Sequence, residues 1–221
     1  MKTKIDTGLI RNYCLNNIGT LFDMGYLYKT LFFEIPESNY RKYIVRLSKD
    51  GILKQISKGI FLIGESDKSN EERVVEHYLG NQLNRKGFYI GDSLLYESGI
   101  IKDKPKIIEI RSRIITGNKN IGNIRIIRTN SFMDNALGTL QICEAIDLIY
   151  EYLKHPEDVQ NEIIKHCIPL LSSYNDELFK RYIALDYPRQ TYITLDKILT
   201  SMGISHMVMD IYADKLFKSY I

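Results

Sequence analysis

Asp92, Glu109 and Arg111 stand in an Asp…Glu-x-Arg order. Metal-dependent nucleases use a similar Asp…Glu-x-Lys layout, in which two carboxylates hold the cation and the lysine positions water. Arginine at 111 keeps its proton and cannot act as a base. Two acids this far apart also recur by chance, so the three residues read first as the charged face of a strand. A metal-dependent nuclease using Asp92 and Glu109 stays as an alternative. The four histidines (His77, His155, His166, His206) lack the spacing of metal ligands. His166 and Cys167 are adjacent, and neighbours on a helix do not face one site. The run "GNKNIG" lacks the terminal Gly-Lys-Ser/Thr of a phosphate-cradling loop, and no GxSxG nucleophile elbow occurs. The expectation is therefore no catalytic residue, no metal site and no cofactor.

A different chemistry lies in "SNYRKYIVRLSKDGILKQISKGIFLIG", residues 38–64. Tyr40, Ile44 and Leu47 recur at i, i+4 and i+7, which predicts a helix buried along that stripe. It starts near Glu37, after the break at Pro36, and stops at Gly51. Ser38, Asn39, Arg41, Lys42, Arg46 and Lys49 are then left pointing outward. After Gly51 the period shortens, and "ILKQIS" and "IFLIG" read as two strands joined through Ser57, Lys58 and Gly59. Upstream, "IDTGLIRNYCLNN" and "DMGYLYKTLF" have helical spacing, the second with Asp23 as its cap. Three helices followed by a hairpin is the order of a winged helix-turn-helix. In that fold the third helix enters the major groove and the hairpin reaches phosphates. Asn39 or Arg41 could read base edges, while Lys54 and Lys58 would contact phosphate.

These elements sit in a 221-residue chain that is 44% apolar and 26% charged, enough to bury a core. Three widely spaced cysteines fit a reducing cytoplasm better than a disulfide framework. No apolar run is long enough to span a bilayer. The net charge of +3 conceals an alternation: residues 1–66 carry +4, residues 67–100 carry −2, residues 101–128 carry +6 and residues 129–221 carry −5. Two basic blocks suggest one anionic partner touched twice. The second block contains Arg111, Arg113, Lys119, Arg125 and Arg128. The acidic C-terminal helices of the same chain are the other way to relieve it.

The domain reading is a DNA-binding unit over residues 1–66 and a second unit over residues 67–221. The class is α+β, with mixed strands and helices to about residue 150 and mainly helix beyond. After the polar "GESDKSNEE", a helix carries Val74, Val75, Tyr78, Leu79 and Leu83 inward. "FYIG" follows as a strand and "DSLLYESGI" as a helix capped by Asp92. "KIIEIRSRIIT" and "NIRIIRT" read as a hairpin around "GNKNIGN", with Ile108 and Ile110 on one face and Ile107, Glu109, Arg111 and Arg113 on the other. Breaks in the helical tail are expected at Pro156, Pro169, Pro188 and Gly203.

"NYRKYIVRLSKDGILKQISKGIFLIG" resembles the helix–Gly–hairpin segment of the AbiEi-type antitoxins of bacterial abortive-infection toxin–antitoxin systems. "GFYIGDSLLYESGI", "IIEIRSRIITGNKNIGNIRIIR" and "ALGTLQICEAIDLI" are similar in order to that family's C-terminal antitoxin domain. Together these segments cover most of residues 1–150, and "IKDKPK" departs from the family's usual Thr/Gln-rich stretch. The resemblance implies a repressor of its own operon that binds double-stranded operator DNA. It further implies a cognate nucleotidyltransferase toxin as functional partner and no catalytic activity; the lack of a long apolar run is what speaks against a membrane partner. A winged-helix regulator whose C-terminal half senses a small ligand is the other alternative.

Overall fold

The computed structural model describes residues 3–81, 84–129, 137–182 and 187–219. The predicted inward position Leu83 lies outside these residues. The chain opens with α1 (Thr3–Asn16), β1 (Leu21–Asp23), α2 (Met24–Thr30), α3 (Glu37–Lys49), β2 (Leu53–Ser57) and β3 (Ile60–Ile63). The three strands form an antiparallel sheet in the order β1-β3-β2. Tyr40, Ile44 and Leu47 are on the buried side of α3, as its periodicity predicts, and Tyr43 is buried with them. They close over Ile10, Cys14, Phe22, Phe32 and Leu53. Rings of Phe22, Phe32, Tyr28 and Tyr40 stack or tilt against one another at centroid distances of 5.0–6.4 Å. The strand β1 was not anticipated, because three residues are too short to show a period.

The opposite face of this sheet is buried as well. Leu21, Ile60 and Leu62 join Val74 and Tyr78 of α4 (Asn70–Leu79) in a second core. Helix α4 begins with a reciprocal capping box between Ser69 and Glu72, which satisfies its first free amides. It ends ten residues on, earlier than its sequence suggests. Gly80 takes φ +77°, and a Cβ there would sit 2.1 Å from the Asn84 carbonyl oxygen. The chain therefore turns back through a small hairpin, β4 (Gly80–Asn81) with β5 (Asn84–Arg85).

A four-stranded sheet follows, built from β6 (Gly87–Tyr89), β7 (Ile108–Ser112), β8 (Lys119–Ile121) and β9 (Ile124–Arg128), in the order β6-β7-β9-β8. Here the structure corrects the expected hairpin. β7 and β9 are parallel neighbours, Ile108 opposite Ile124. The hairpin partner of β9 is β8, which lies within the segment read as a turn. Lys119-Asn120-Ile121 is too short to declare itself, yet its pairing places β9 centrally and buries Ile124 and Ile126. Helix α5 (Gly91–Glu97) is capped at Ile90, with Asp92 inside its first turn and not at its cap.

The remaining described chain is helical: α6 (Leu137–Tyr152), α7 (Glu157–Leu171), α8 (Asp176–Tyr182), α9 (Arg189–Ser201) and α10 (Val208–Ser219). Their core includes Ile149, Ile163, Phe179, Tyr192 and Leu199. Pro169 does not break α7; it sits two residues from the end, where only one helical hydrogen bond is forfeited. No helix among the described residues is long and apolar enough to cross a membrane.

Candidate nucleic-acid interface

Helix α3 is held from below and free above. The Tyr40 hydroxyl donates to the Met24 carbonyl at 3.0 Å, tying α3 to the first residue of α2. That hydroxyl is buried, and its proton is held more tightly than usual, by desolvation first and then by the nearby Asp23 carboxylate. Helix α2 is fixed in turn by Asp23, whose Oδ1 accepts the amides of Gly25 and Tyr26 at 3.0 and 3.1 Å.

Above this base, Ser38, Arg41, Lys42, Arg46 and Lys49 are exposed and Asn39 is half-buried. Arg41 pairs with Glu37 at 2.6 Å, but both side chains are more than half exposed. Such a pair contributes about 0.3–0.5 kcal/mol, so Arg41 can leave it for a stronger anion at little cost. Val45, itself exposed, lies among these cations and adds apolar surface of the kind that can meet a thymine methyl. The β2–β3 turn carries Lys58 and Gly59, with Gly59 at φ +76°. Lys54 and Lys58 are both exposed, and a bulge between Gln55 and Ser57 twists the hairpin near its tip.

The second basic block does not present one face. Lys119 reaches back to Asp23, placing Nζ 2.5 Å from Oδ2, beside the Tyr78 hydroxyl that donates to the same oxygen at 2.8 Å. Arg125 pairs with Glu109 at 3.1 Å across the parallel strands. Arg111 is half-buried with its guanidinium 5.5 Å from the Tyr187 ring centre. Arg113 is half-buried too. Arg128 is exposed, and its guanidinium approaches the Thr116 carbonyl at 3.5 Å. Thr116 lies against Gly25 at the start of α2, the helix whose capping residue Asp23 also receives Lys119.

Asp92 and Glu109 have separate partners: Asp92 approaches the His155 imidazole and Glu109 holds Arg125. Asp147, a buried acid that the sequence did not single out, joins this region. It accepts the Gly91 amide at 2.9 Å and the Tyr187 hydroxyl at 2.9 Å. Desolvation raises its pKa to about 6 despite these two bonds. A concavity of about 130 Å³ between α4, β6 and α5 is lined by Glu71, Glu72, Tyr89, Tyr96 and Glu97, with Lys104 closing on Glu71 at 3.1 Å.

No protein-family model and no curated protein matches the chain. Among solved structures, the chain is similar to the Rv2827c protein of Mycobacterium tuberculosis. The identity is 15% and the TM-score 0.38, over 90% of this chain and 76% of that one.

Proposed function

We propose that this chain is a DNA-binding antitoxin that represses its own toxin–antitoxin operon and counteracts a nucleotidyltransferase toxin in the cytoplasm. The observation that carries the DNA-binding part is the two-sided build of α3. An apolar stripe fixes the helix on α2 and the sheet, and the other side leaves four cations beside a hairpin bearing Lys54 and Lys58. The order α1-β1-α2-α3-β2-β3 supports reading this unit as a winged helix-turn-helix, in which α3 would be the recognition helix and β2–β3 the wing. Ser38 and Asn39 lie at the N-terminal end of α3, where base-edge contacts of such helices concentrate. The toxin partner and the absence of catalysis rest on the resemblance of residues 39–64, 87–100, 107–128 and 136–149 to the AbiEi-type antitoxins.

The test is binding to the DNA upstream of the chain's own gene. Arg41→Ala should weaken that binding by about 1–3 kcal/mol if the guanidinium reads a base. Arg41→Ala combined with Arg46→Ala should remove specific binding while the fold persists, since both side chains are exposed. Unchanged affinity in the folded double variant refutes α3 as the recognition helix. Toxin neutralisation is read separately, by co-expressing the adjacent gene with this chain.

A further inference from the structure

The geometry points to a divalent transition-metal site formed by Asp92, Glu151 and His155, independent of the DNA-binding surface. The three donors come from two places in the chain. Asp92 stands in the first turn of α5, Glu151 in the last turn of α6, and His155 in the bend that leads to α7. His155 Nε2 lies 3.8 Å from Asp92 Oδ1 and 3.8 Å from Glu151 Oε2, and one donor atom from each residue falls within 4.8 Å of the others. A tetrahedral zinc with bonds of about 2.1 Å needs donors about 3.4 Å apart. The two imidazole–carboxylate distances are therefore within about half an ångström of a ligating triangle. The mobile partner in closing it is Asp92, whose side chain is 63% exposed.

Glu151 keeps one carboxylate oxygen toward the imidazole although Lys154 already neutralises its charge. Helix α6 has sixteen residues and no basic side chain in its last turn. Its carbonyl end favours positive charge, yet the side chain it carries there is Glu151, only 6% exposed. Lys154 engages Oε1 at 2.6 Å and leaves Oε2 turned toward the imidazole. Lys154 is also held against the Tyr150 ring, 3.6 Å from its centre. The backbone that carries the imidazole is fixed by the Gln160 side-chain amide, which donates to the His155 main-chain carbonyl at 2.7 Å. One imidazole and two carboxylates suit zinc or manganese better than magnesium, which prefers oxygen donors alone. Three protein donors leave a position for water or an external ligand.

The full chain, freed of metal with a chelator, should bind one Zn²⁺ or Mn²⁺ in a calorimetric titration and melt at a higher temperature with it. Mg²⁺ at the same concentration should do neither. Cys14 and Cys167 are buried and Cys143 half-buried, and burial pushes their thiols up to about 11, 12 and 12, which disfavours the thiolate form that zinc takes. Asp92→Asn and His155→Gln should each weaken binding about tenfold or more. Asp92 is exposed, so its variant keeps the fold even if a change at His155 does not. Lys154→Met, which frees the second oxygen of Glu151, should tighten binding. The proposal is overturned if neither metal binds, or if the folded Asp92→Asn chain binds as tightly as the parent.

Discussion

Asp23 makes four contacts with two oxygens, and its replacement has a worked consequence. Oδ1 caps α2 through two amides, and Oδ2 receives the Tyr78 hydroxyl and the Lys119 ammonium. The residue is fully buried, whereas Lys119 retains 22% side-chain exposure. Asp23→Asn keeps the shape and a weaker cap but leaves the lysine without its counter-charge. Breaking a buried pair from one side costs about 3–5 kcal/mol; the exposure of Lys119 lets water recover part of that, so about 2–3 kcal/mol is expected. For a chain of this size that lowers Tm by roughly 4–12 °C. Lys119→Met removes the charge as well as the partner, so the double variant should lose less than the sum of the singles by about 1–2 kcal/mol. Denaturant unfolding of the four proteins closes the cycle. A coupling below about 0.5 kcal/mol would show that the ammonium finds equivalent solvation without Asp23, and that the lock between α2 and β8 is not electrostatic.

Two further predictions concern protons and salt. Burial lowers the pKa of His77 to about 4, helped by Lys86 and Lys119 and opposed by Asp23, while burial raises that of Asp147 to about 6. His77 therefore withdraws up to about 3 kcal/mol of stability as pH falls from about 6.5 to 4, and Asp147 adds a similar amount as pH falls from about 6 to 4. His77→Gln should make the chain gain stability toward acid and Asp147→Asn should make it lose stability; identical slopes in the two variants contradict both assignments. On DNA, Lys54→Ala with Lys58→Ala should flatten the slope of log affinity against log salt by about two units, on specific and non-specific duplexes alike. A slope equal to the parent's removes the wing from the interface.

What was legible in the sequence was local. The stripe Tyr40–Ile44–Leu47, the stop at Gly51, the turn at Lys58–Gly59 and the Asp23 cap are each written within a few residues, and the structure shows all four. What was not legible depends on residues far apart. The parallel pairing of β7 with β9 depends on the chain first running out to β8 at the sheet edge, and three residues of alternation cannot announce a strand. Lys119 looked like one more cation of a basic hairpin. Its partner lies 96 positions earlier, and only the fold reveals that the pair fastens α2 to the four-stranded sheet. The same holds for His155, which no spacing rule connects to Asp92.

This has a consequence for how the two basic blocks divide the work. The first block keeps its cations in solvent, with Arg41 in an exposed pair that yields easily. In the second, Lys119 is committed to Asp23, Arg125 to Glu109, and Arg111 lies against Tyr187. A positive charge count is therefore a poor guide to where an anion binds; what matters is which cations can be released cheaply. By that criterion α3 and the β2–β3 hairpin are the surface we propose for DNA. Arg125 and Arg111 make their contacts within residues 67–221, and Lys119 reaches across residue 66 to Asp23. Because Asp23 caps α2 and accepts Lys119 with the same carboxylate, a partner that displaced the β8–β9 hairpin would loosen the support of α3. Contact with the C-terminal half and affinity for DNA would then be linked through one buried side chain.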